Sequence, residues 1–329
     1  MMRNSSRGAV DPFIVMDVME AARQAEDAGR HIIHMEVGQP GTPAPAFARQ
    51  ALQSAMTDNP LGYTVALGLP ALRERIARLY GEWYNVDLDP ARVVVTPGSS
   101  GGFILAFSAL FDAGDRIALG APGYPSYRQI MKSLDLTPVE VQTRAEARYQ
   151  LEPSDLNAVD YQGMMVASPA NPTGTMLGKD ALGALIAAAQ DKGAAFLSDE
   201  IYHGIEYEHK AVTALQISDD VCVINSFSKY FSMTGWRVGW LVLPPENVRQ
   251  VERLAQNMFI CAPHVSQVAA LAAMDCEEEL KSNLAVYTQN RQLMMEGLPK
   301  AGFSKIAPPD GAFYVYADVS DFTKDSLAF

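Results

Sequence analysis

The sequence predicts an α/β protein with a mostly parallel sheet in a three-layer large domain, accompanied by a smaller α+β domain. Short, continuously apolar segments alternate with segments of helical periodicity between residues 92 and 243. Strands that are apolar throughout are typical of a sheet covered by helices on both faces, and the alternation favours right-handed crossovers between parallel strands. A length of 329 residues suits one large domain plus a smaller one.

The first predicted elements precede this alternation. Apolar residues recur at helical spacing after an Asp-Pro start signal, which predicts a helix from Asp11 to Gly29. Residues 32–37 are predicted to form a short strand. The Gly/Pro cluster at residues 38–43 marks a break where we expect the two domains to join.

The remaining elements follow in order along the chain. Apolar segments predict strands at residues 92–96, 116–119, 164–167, 195–197, 221–224 and 238–243. Helical patterns predict helices at residues 103–111, after Pro125, and at residues 179–191. The pattern is mainly helical from Pro244 to about Leu298, and short strands are expected near residues 303–306 and 313–317.

This order of elements predicts a division into domains. Residues 1–42 are expected to form an N-terminal arm and helix of the small domain, and residues 43–298 the large domain. Residues 299–329 are expected to start the C-terminal part of the small domain. The sequence stops before this second sheet could close, so we expect the small domain to be incomplete in this chain.

Composition argues against several classes of partner. A net charge of −12 argues against nucleic acid and anionic membranes. No segment approaches the roughly 18 uninterrupted apolar residues of a membrane span, and the N-terminus lacks the apolar core of a signal peptide. Three cysteines without ligand-like spacing are expected to be reduced thiols, which favours a cytoplasmic location. The acids and histidines near residue 200 match no zinc pattern, so no metal site is predicted.

The most informative segment follows the strand predicted at residues 221–224. Ser226, Ser228, Lys229 and Arg237 place two hydroxyls, an amine and a guanidinium at the rim of the sheet, where open α/β sheets bind their ligands. The amine can condense with an aldehyde, and the guanidinium can bind a phosphate through two hydrogen bonds. A phosphorylated aldehyde that uses both groups is pyridoxal phosphate (PLP).

Other predicted strand ends carry groups that suit the same ligand. Gly98, Ser99 and Ser100 join a strand to a helix, where free N–H groups bind phosphate, although such a turn is more often only a helix cap. Tyr124 lies between Gly and Pro, where its ring can stack on a flat heterocycle or cover the core. Asn171, in a loop dense in Pro and Gly, offers two donors and one acceptor.

Asp199 and Tyr202 follow the strand predicted at residues 195–197. The carboxylate can hydrogen-bond a ring nitrogen and hold it protonated, which makes the ring an electron sink; capping of the next helix is the alternative. All these groups lie at predicted carboxyl ends of strands, and one sheet would bring them to one edge.

These residues resemble those of the class I and II aminotransferases, PLP-dependent enzymes of fold type I, and the resemblance runs from about Asp11 to the last residue. It implies that Lys229 binds the cofactor covalently, that Asp199 faces the pyridine nitrogen, and that Tyr202 and Asn171 donate to the phenolic oxygen. It also implies roles for Tyr124 in stacking, for Gly98, Ser99, Ser100, Ser226, Ser228 and Arg237 at the phosphate, and for Gly38 and Asn171 beside the substrate.

The resemblance further implies an activity and an assembly. The expected reaction moves an amino group between an L-amino acid and a 2-oxo acid, with Lys229, Asp199 and Tyr202 as catalytic residues. Tyr63 matches a tyrosine that reaches the phosphate of the neighbouring subunit, so we expect a homodimer with shared active sites. Lyases and decarboxylases of the same fold use the same site and remain alternatives.

The C-terminus departs from the family pattern. In the family a later arginine binds the α-carboxylate of the substrate, whereas here no arginine follows Arg291 and the sequence ends at Phe329. We therefore expect the chain as given to bind PLP but to turn over amino acids poorly. A PLP-binding chain without activity is the remaining alternative.

Overall fold

In a computed structural model that describes residues 2–326 and residue 329, the chain folds around one sheet of seven strands. The strands are β1 (Val93–Thr96), β2 (Arg116–Ala121), β3 (Thr137–Gln142), β4 (Gly163–Ala167), β5 (Ala195–Asp199), β6 (Cys222–Ser226) and β7 (Gly239–Val242). Their order across the sheet is β1-β7-β6-β5-β4-β2-β3.

The sheet is mostly parallel, as predicted, with one reversed strand. Parallel pairing joins β3 to β2, β2 to β4, β4 to β5 and β5 to β6. β7 runs antiparallel to both of its neighbours, β1 and β6. Residues 227–238 connect β6 to β7 without an α-helix, and a connection of this kind returns the chain antiparallel, because a parallel neighbour needs a longer crossover.

Helices cover both faces of this sheet. Along the described residues they are α1 (Ile14–Asp27), α2 (Ala46–Asp58), α3 (Pro70–Tyr84), α4 (Gly98–Leu110), α5 (Pro125–Ser133), α6 (Lys179–Asp191), α7 (Pro245–Met258), α8 (His264–Ala273) and α9 (Glu277–Lys300). Leu72 of α3 and Leu185 of α6 pack into the core on one face, whereas Phe107 of α4 and Val251 of α7 pack into the core on the other. The three layers explain why the central strands are apolar on both sides.

Two expectations about local structure are wrong, and one strand is missing from the prediction. Residues 32–37 form no strand; the side chains of Ile33 and Met35 are exposed, and no strand of the described chain pairs with them. The strands expected near residues 303–306 and 313–317 reduce to one bridge between Ile306 and Ala317. The sequence pattern also does not predict β3, because this edge strand is mostly exposed and lacks a continuous apolar run.

The helix expected at residues 103–111 begins five residues earlier than predicted. α4 starts at Gly98, so the Gly-Ser-Ser segment forms its first turn and not a separate loop. None of the helices in the described part of the chain has both the length and the apolar character needed to cross a membrane. The domain boundaries and the cytoplasmic location stay predictions.

Candidate active site

The carboxyl ends of the parallel strands meet at one edge of the sheet and place the predicted residues around one cavity. Asp199 ends β5, Asn171 follows β4, and Lys229 follows β6. The cavity has a volume of about 300 Å³. Ten of the predicted site residues line it: Gly38, Ser99, Ser100, Tyr124, Asn171, Asp199, Tyr202, Ser228, Lys229 and Arg237.

One end of the cavity is suited to an anion. The first N–H groups of α4 lack partners within the helix, and the helix dipole makes this end positive. The guanidinium of Arg237 lies against the same turn, since a Cβ atom at Gly98 would stand 2.4 Å from Arg237 Nη2. Gly98 also has a φ of +72°, so both its backbone and its surroundings require glycine. The helix end, the guanidinium and the hydroxyls of Ser99, Ser100 and Ser228 together offer donors that are suited to an anion such as a phosphate.

Ser226 and Gly98 lie next to residues of this end but do not line the cavity. The Ser226 hydroxyl is buried and lies 2.8 Å from Ser228 Oγ and 3.1 Å from the Val238 carbonyl oxygen. Neither Ser226 nor Gly98 is among the residues that line the cavity. Ser226 would therefore act on a bound phosphate through its hydrogen bond to Ser228.

Lys229 is one of the residues that line the cavity. Its Nζ donates a 2.5 Å hydrogen bond to the carbonyl oxygen of Gly38. Gly38 has to be glycine here, because a Cβ atom would lie 2.0 Å from the Tyr314 hydroxyl. Burial lowers the pKa of Lys229 to about 8; Arg237 also lowers it, and Asp199 partly opposes both. A neutral, nucleophilic amine is thus present in quantity near pH 8.

Asp199 is a buried carboxylate with neutral hydrogen-bond donors. Its Oδ2 accepts a short hydrogen bond from the Tyr127 hydroxyl, and its Oδ1 accepts one from the N–H of Ile201 at 3.1 Å. Burial raises the pKa of Asp199 to about 6, and these two donors hold it below the value that burial alone would produce. A cationic N–H at this point of the cavity would complete the site, since a buried carboxylate is stabilised by an opposite charge.

Three side chains near Asp199 form a hydrogen-bonded chain. The hydroxyls of Tyr202 and Tyr314 are 2.5 Å apart, and Asn171 Nδ2 donates to the Tyr314 hydroxyl at 3.3 Å. Burial raises the pKa of Tyr202 well above its usual range, so its hydroxyl stays protonated and able to donate. These donors are suited to an oxygen substituent on a bound ring.

Tyr124 forms one wall of the cavity in a fixed orientation. The rings of Phe13 and Tyr127 make T-shaped contacts with it, with ring centroids 5.7 Å and 5.2 Å away. Such contacts hold an aromatic ring in one orientation. Tyr124 therefore lines the cavity as an oriented aromatic ring.

Several lining residues have no role in the sequence prediction. Tyr127 follows Tyr124 by three residues at the start of α5, a spacing that places both on one side of a helix and is the signal that could have revealed it. Tyr314 is 112 residues from its partner Tyr202, and no local pattern predicts that contact. Phe13, Val15 and Glu36 lie in the N-terminal segment, which precedes the strands whose ends predict the site.

Tyr63 is placed outside this cavity. Its side chain is 82% exposed, and it is not among the lining residues. Within the described residues no cluster of three or more His, Cys, Asp or Glu side chains has the arrangement needed to hold a metal ion.

Comparisons with known proteins show the family to which this chain is similar. The family model for aminotransferase class I and II matches residues 30–328. The valine–pyruvate aminotransferase of Mycobacterium tuberculosis is 46% identical over 99% of this chain and 86% of its own length. The aspartate aminotransferase of Sulfurisphaera tokodaii is 31% identical over 93% of this chain and 78% of its own.

Solved structures share the whole fold. A protein of Silicibacter pomeroyi, provisionally described as an aminotransferase, is 70% identical with a TM-score of 0.94, covering 100% of this chain and 86% of its own. An aminotransferase of Mycobacterium tuberculosis is 45% identical with a TM-score of 0.97, covering 100% and 87%. The aspartate aminotransferase of Thermus thermophilus with maleate is 27% identical with a TM-score of 0.95, covering 100% and 88%.

Proposed function

The chain belongs to the class I and II aminotransferases, enzymes that transfer amino groups, and we propose that it does so with PLP held in the cavity around Lys229. Enzymes of this family use PLP. The observation that carries the proposal is the pairing in one cavity of a lysine with a lowered pKa and a buried aspartate, beside a phosphate-binding helix end. The lyase and decarboxylase alternatives are not favoured, because the named relatives are aminotransferases.

The residues of the cavity fit this cofactor. Ser99, Ser100, Ser228 and Arg237 would hold the phosphate, and the carboxylate of Asp199 would pair with the protonated ring nitrogen. Tyr202 and Asn171 would donate to the phenolic oxygen, and Tyr124 would stack on the ring. When bound, PLP supplies an electron sink that acidifies the α-proton of an amino acid.

The chain's own groups then bind, orient and move protons. Lys229 Nζ would attach the cofactor and, once released by the incoming amine, accept the α-proton as a neutral base. Asp199, supported by Tyr127, would keep the ring nitrogen protonated. The overall exchange swaps the amino group of an amino acid for the carbonyl oxygen of a 2-oxo acid, so it balances without an added oxidant or reductant.

Gly38 and Asn171 are the groups that we assign to the substrate. The carbonyl oxygen of Gly38 lies 2.5 Å from Lys229 Nζ, and both Gly38 and Asn171 lie next to the Tyr314 hydroxyl. The named relatives act on valine with pyruvate and on aspartate, which makes α-amino acids and 2-oxo acids the substrate class. The alternative of a PLP-binding chain without activity is likewise not favoured by these relatives.

We also propose that the enzyme is a homodimer in which Tyr63 completes the partner's site. Tyr63 and Val65 are exposed beside Ile260 and Val265, which are exposed as well. The two segments are held together by a 2.7 Å hydrogen bond between His264 Nδ1 and the carbonyl oxygen of Gly62. A surface of exposed aromatic and aliphatic side chains is typical of an interface, and Tyr63 has no role in its own cavity.

The test is covalent labelling. Purified protein incubated with PLP, reduced with borohydride and digested should carry the cofactor on Lys229, and addition of alanine or valine before reduction should prevent the labelling. Lys229→Ala should take up no reducible label, whereas Lys179→Ala, which removes an exposed lysine at the start of α6, should label normally. Labelling on another lysine would contradict the assignment of the site.

A further inference from the structure

Tyr314 lines the cavity, and the proposed function assigns no role to it. Its hydroxyl lies 2.5 Å from the Tyr202 hydroxyl and accepts a 3.3 Å hydrogen bond from Asn171 Nδ2. It also lies close to Gly38, where a Cβ atom would be 2.0 Å from it. The Tyr314 hydroxyl is therefore next to three residues that the proposed function assigns to the cofactor or to the substrate.

The segment that carries Tyr314 is held by hydrogen bonds to the loops that follow β4 and β5. The Asp310 carboxylate accepts a 2.9 Å hydrogen bond from the N–H of Met176, and the N–H of Ala312 donates one of 2.9 Å to the carbonyl oxygen of Ile205. Ala312 has a φ of +58°, a left-handed conformation that alanine adopts where surrounding contacts hold it. These contacts give the Tyr314 hydroxyl a defined place beside Tyr202.

The two tyrosines share one hydrogen bond, and its direction decides which proton is left for a ligand. Burial raises the pKa of Tyr314 to about 12 and that of Tyr202 well above its usual range, so both hydroxyls are protonated at neutral pH. Each hydroxyl has a single proton to donate. If Tyr202 donated to Tyr314, it would have no proton left for a ligand. Donation from Tyr314 to Tyr202 leaves the Tyr202 proton available to a ligand in the cavity.

We propose that Tyr314 is a positioning residue that acts through Tyr202. By donating its hydroxyl proton to Tyr202, it directs the Tyr202 proton to the phenolic oxygen of PLP and strengthens that hydrogen bond. This inference rests on the proposed function, in which Tyr202 donates to that oxygen. Hydrogen bonds in series polarise one another, so a hydroxyl that accepts a hydrogen bond becomes a stronger donor. Asn171, which donates to Tyr314, extends the same series by one residue.

The proposal has a spectroscopic consequence. The phenolic oxygen of PLP neighbours the nitrogen that joins the cofactor to Lys229, and the protonation of this nitrogen changes the absorbance of the cofactor. When the nitrogen loses its proton, the negative oxygen depends more strongly on the tyrosine donors, so weaker donors raise the pH midpoint of the absorbance change. Loss of a hydrogen bond to a charged oxygen should raise it by about one to two pH units, and weakening of that bond by roughly a few tenths of a unit.

The test is a double-mutant cycle measured by spectrophotometric pH titration of the PLP-loaded protein. Tyr202→Phe should raise the midpoint by the larger amount, and Tyr314→Phe by the smaller amount. The double variant should have the midpoint of Tyr202→Phe alone, because Tyr314 then lacks the hydroxyl through which it acts. The control is Tyr316→Phe, which makes the same change two residues further along the segment and outside the cavity, and it should leave the midpoint unchanged.

Borohydride labelling of Lys229 in each variant reports an assembled site without turnover. Tyr314→Phe keeps the ring and should label normally; loss of labelling, an unchanged midpoint, or an equal rise with and without the Tyr202 hydroxyl would overturn the inference and leave the proposed function intact. An unshifted midpoint in Tyr202→Phe would overturn both the inference and the assignment of Tyr202 to the phenolic oxygen. Absence of label on Lys229 in the wild type would overturn the proposed function itself.

Discussion

The cofactor end of the cavity is built at the edge of the sheet, whereas another wall is lined by residues of the N-terminal segment, which precedes the sheet. α4, at the cofactor end, buries Phe103, Leu105 and Phe107 in the core. α1, which begins beside the lining residue Phe13, has no buried residue among its fourteen, and Ile14 is 53% exposed. The cofactor end therefore rests on a deeply packed frame, whereas α1 can change its residues at little cost to the folding of the chain.

The largest effect should come from the cofactor end. Asp199→Asn removes the charge that would hold the ring nitrogen protonated, an interaction on the order of a few kcal/mol in a buried site, so the rate of α-proton removal should fall about 10²-fold or more. Single-turnover absorbance measurements with alanine would report it. Asp191→Asn, at the exposed end of α6, is the control and should react at the wild-type rate.

Substitutions in the two regions should change the free energy of unfolding by different amounts. Ile224 of β6 is fully buried, and Ile224→Ala should lower the free energy of unfolding by about 2–5 kcal/mol. Ile14→Ala on α1 should change it by no more than about 0.5 kcal/mol, because that side chain is half exposed. Urea denaturation followed by circular dichroism measures both. A similar loss for the two variants would show that α1 is packed in the assembled protein.

A smaller effect is expected from Tyr127, which acts through Asp199. Its hydrogen bond stabilises the ionised carboxylate and so lowers the pKa of Asp199. Tyr127→Phe should raise that pKa, move the acidic limb of the pH–rate profile to higher pH and lower kcat/KM about tenfold. Tyr161→Phe, in which a buried tyrosine far from the cavity loses a hydrogen bond to a backbone carbonyl, should leave the pH profile unshifted.

The smallest effect concerns pH at the N-terminal segment. Because the pKa of His34 is raised to about 8 by Glu36 and Glu26, its positive charge stabilises the folded chain below that pH and is lost above it. The free energy of unfolding should therefore fall slightly between pH 7 and pH 9 in the wild type, and urea denaturation at the two pH values measures it. His34→Gln should show a smaller fall. Equal falls in the wild type and in His34→Gln would contradict the charge assigned to His34.

The frame of the site could be predicted from local patterns. The end of a strand can be recognised in the sequence where an apolar segment is followed by a Gly/Ser turn, a Pro/Gly loop or an acidic residue. In a parallel sheet the carboxyl ends of the strands lie at one edge. For this reason Ser99, Asn171, Asp199 and Lys229 were expected together and do line one cavity. The same reasoning fails at residues 32–37, where an apolar segment pairs with no strand of the described chain. It also fails at β3, because this edge strand is too exposed to have a continuous apolar sequence.

The sequence by itself determined the alternation of strands and helices, the glycines of the phosphate turn, and the lysine and arginine that follow β6, because turn chemistry and hydrophobic periodicity act over a few residues. Only the tertiary structure decided that Tyr314 meets Tyr202, that Gly38 must make room for Tyr314, and that Glu36 joins the cavity of Lys229. These contacts span more than a hundred residues, and they depend on how the N-terminal and C-terminal segments pack across the edge of the sheet.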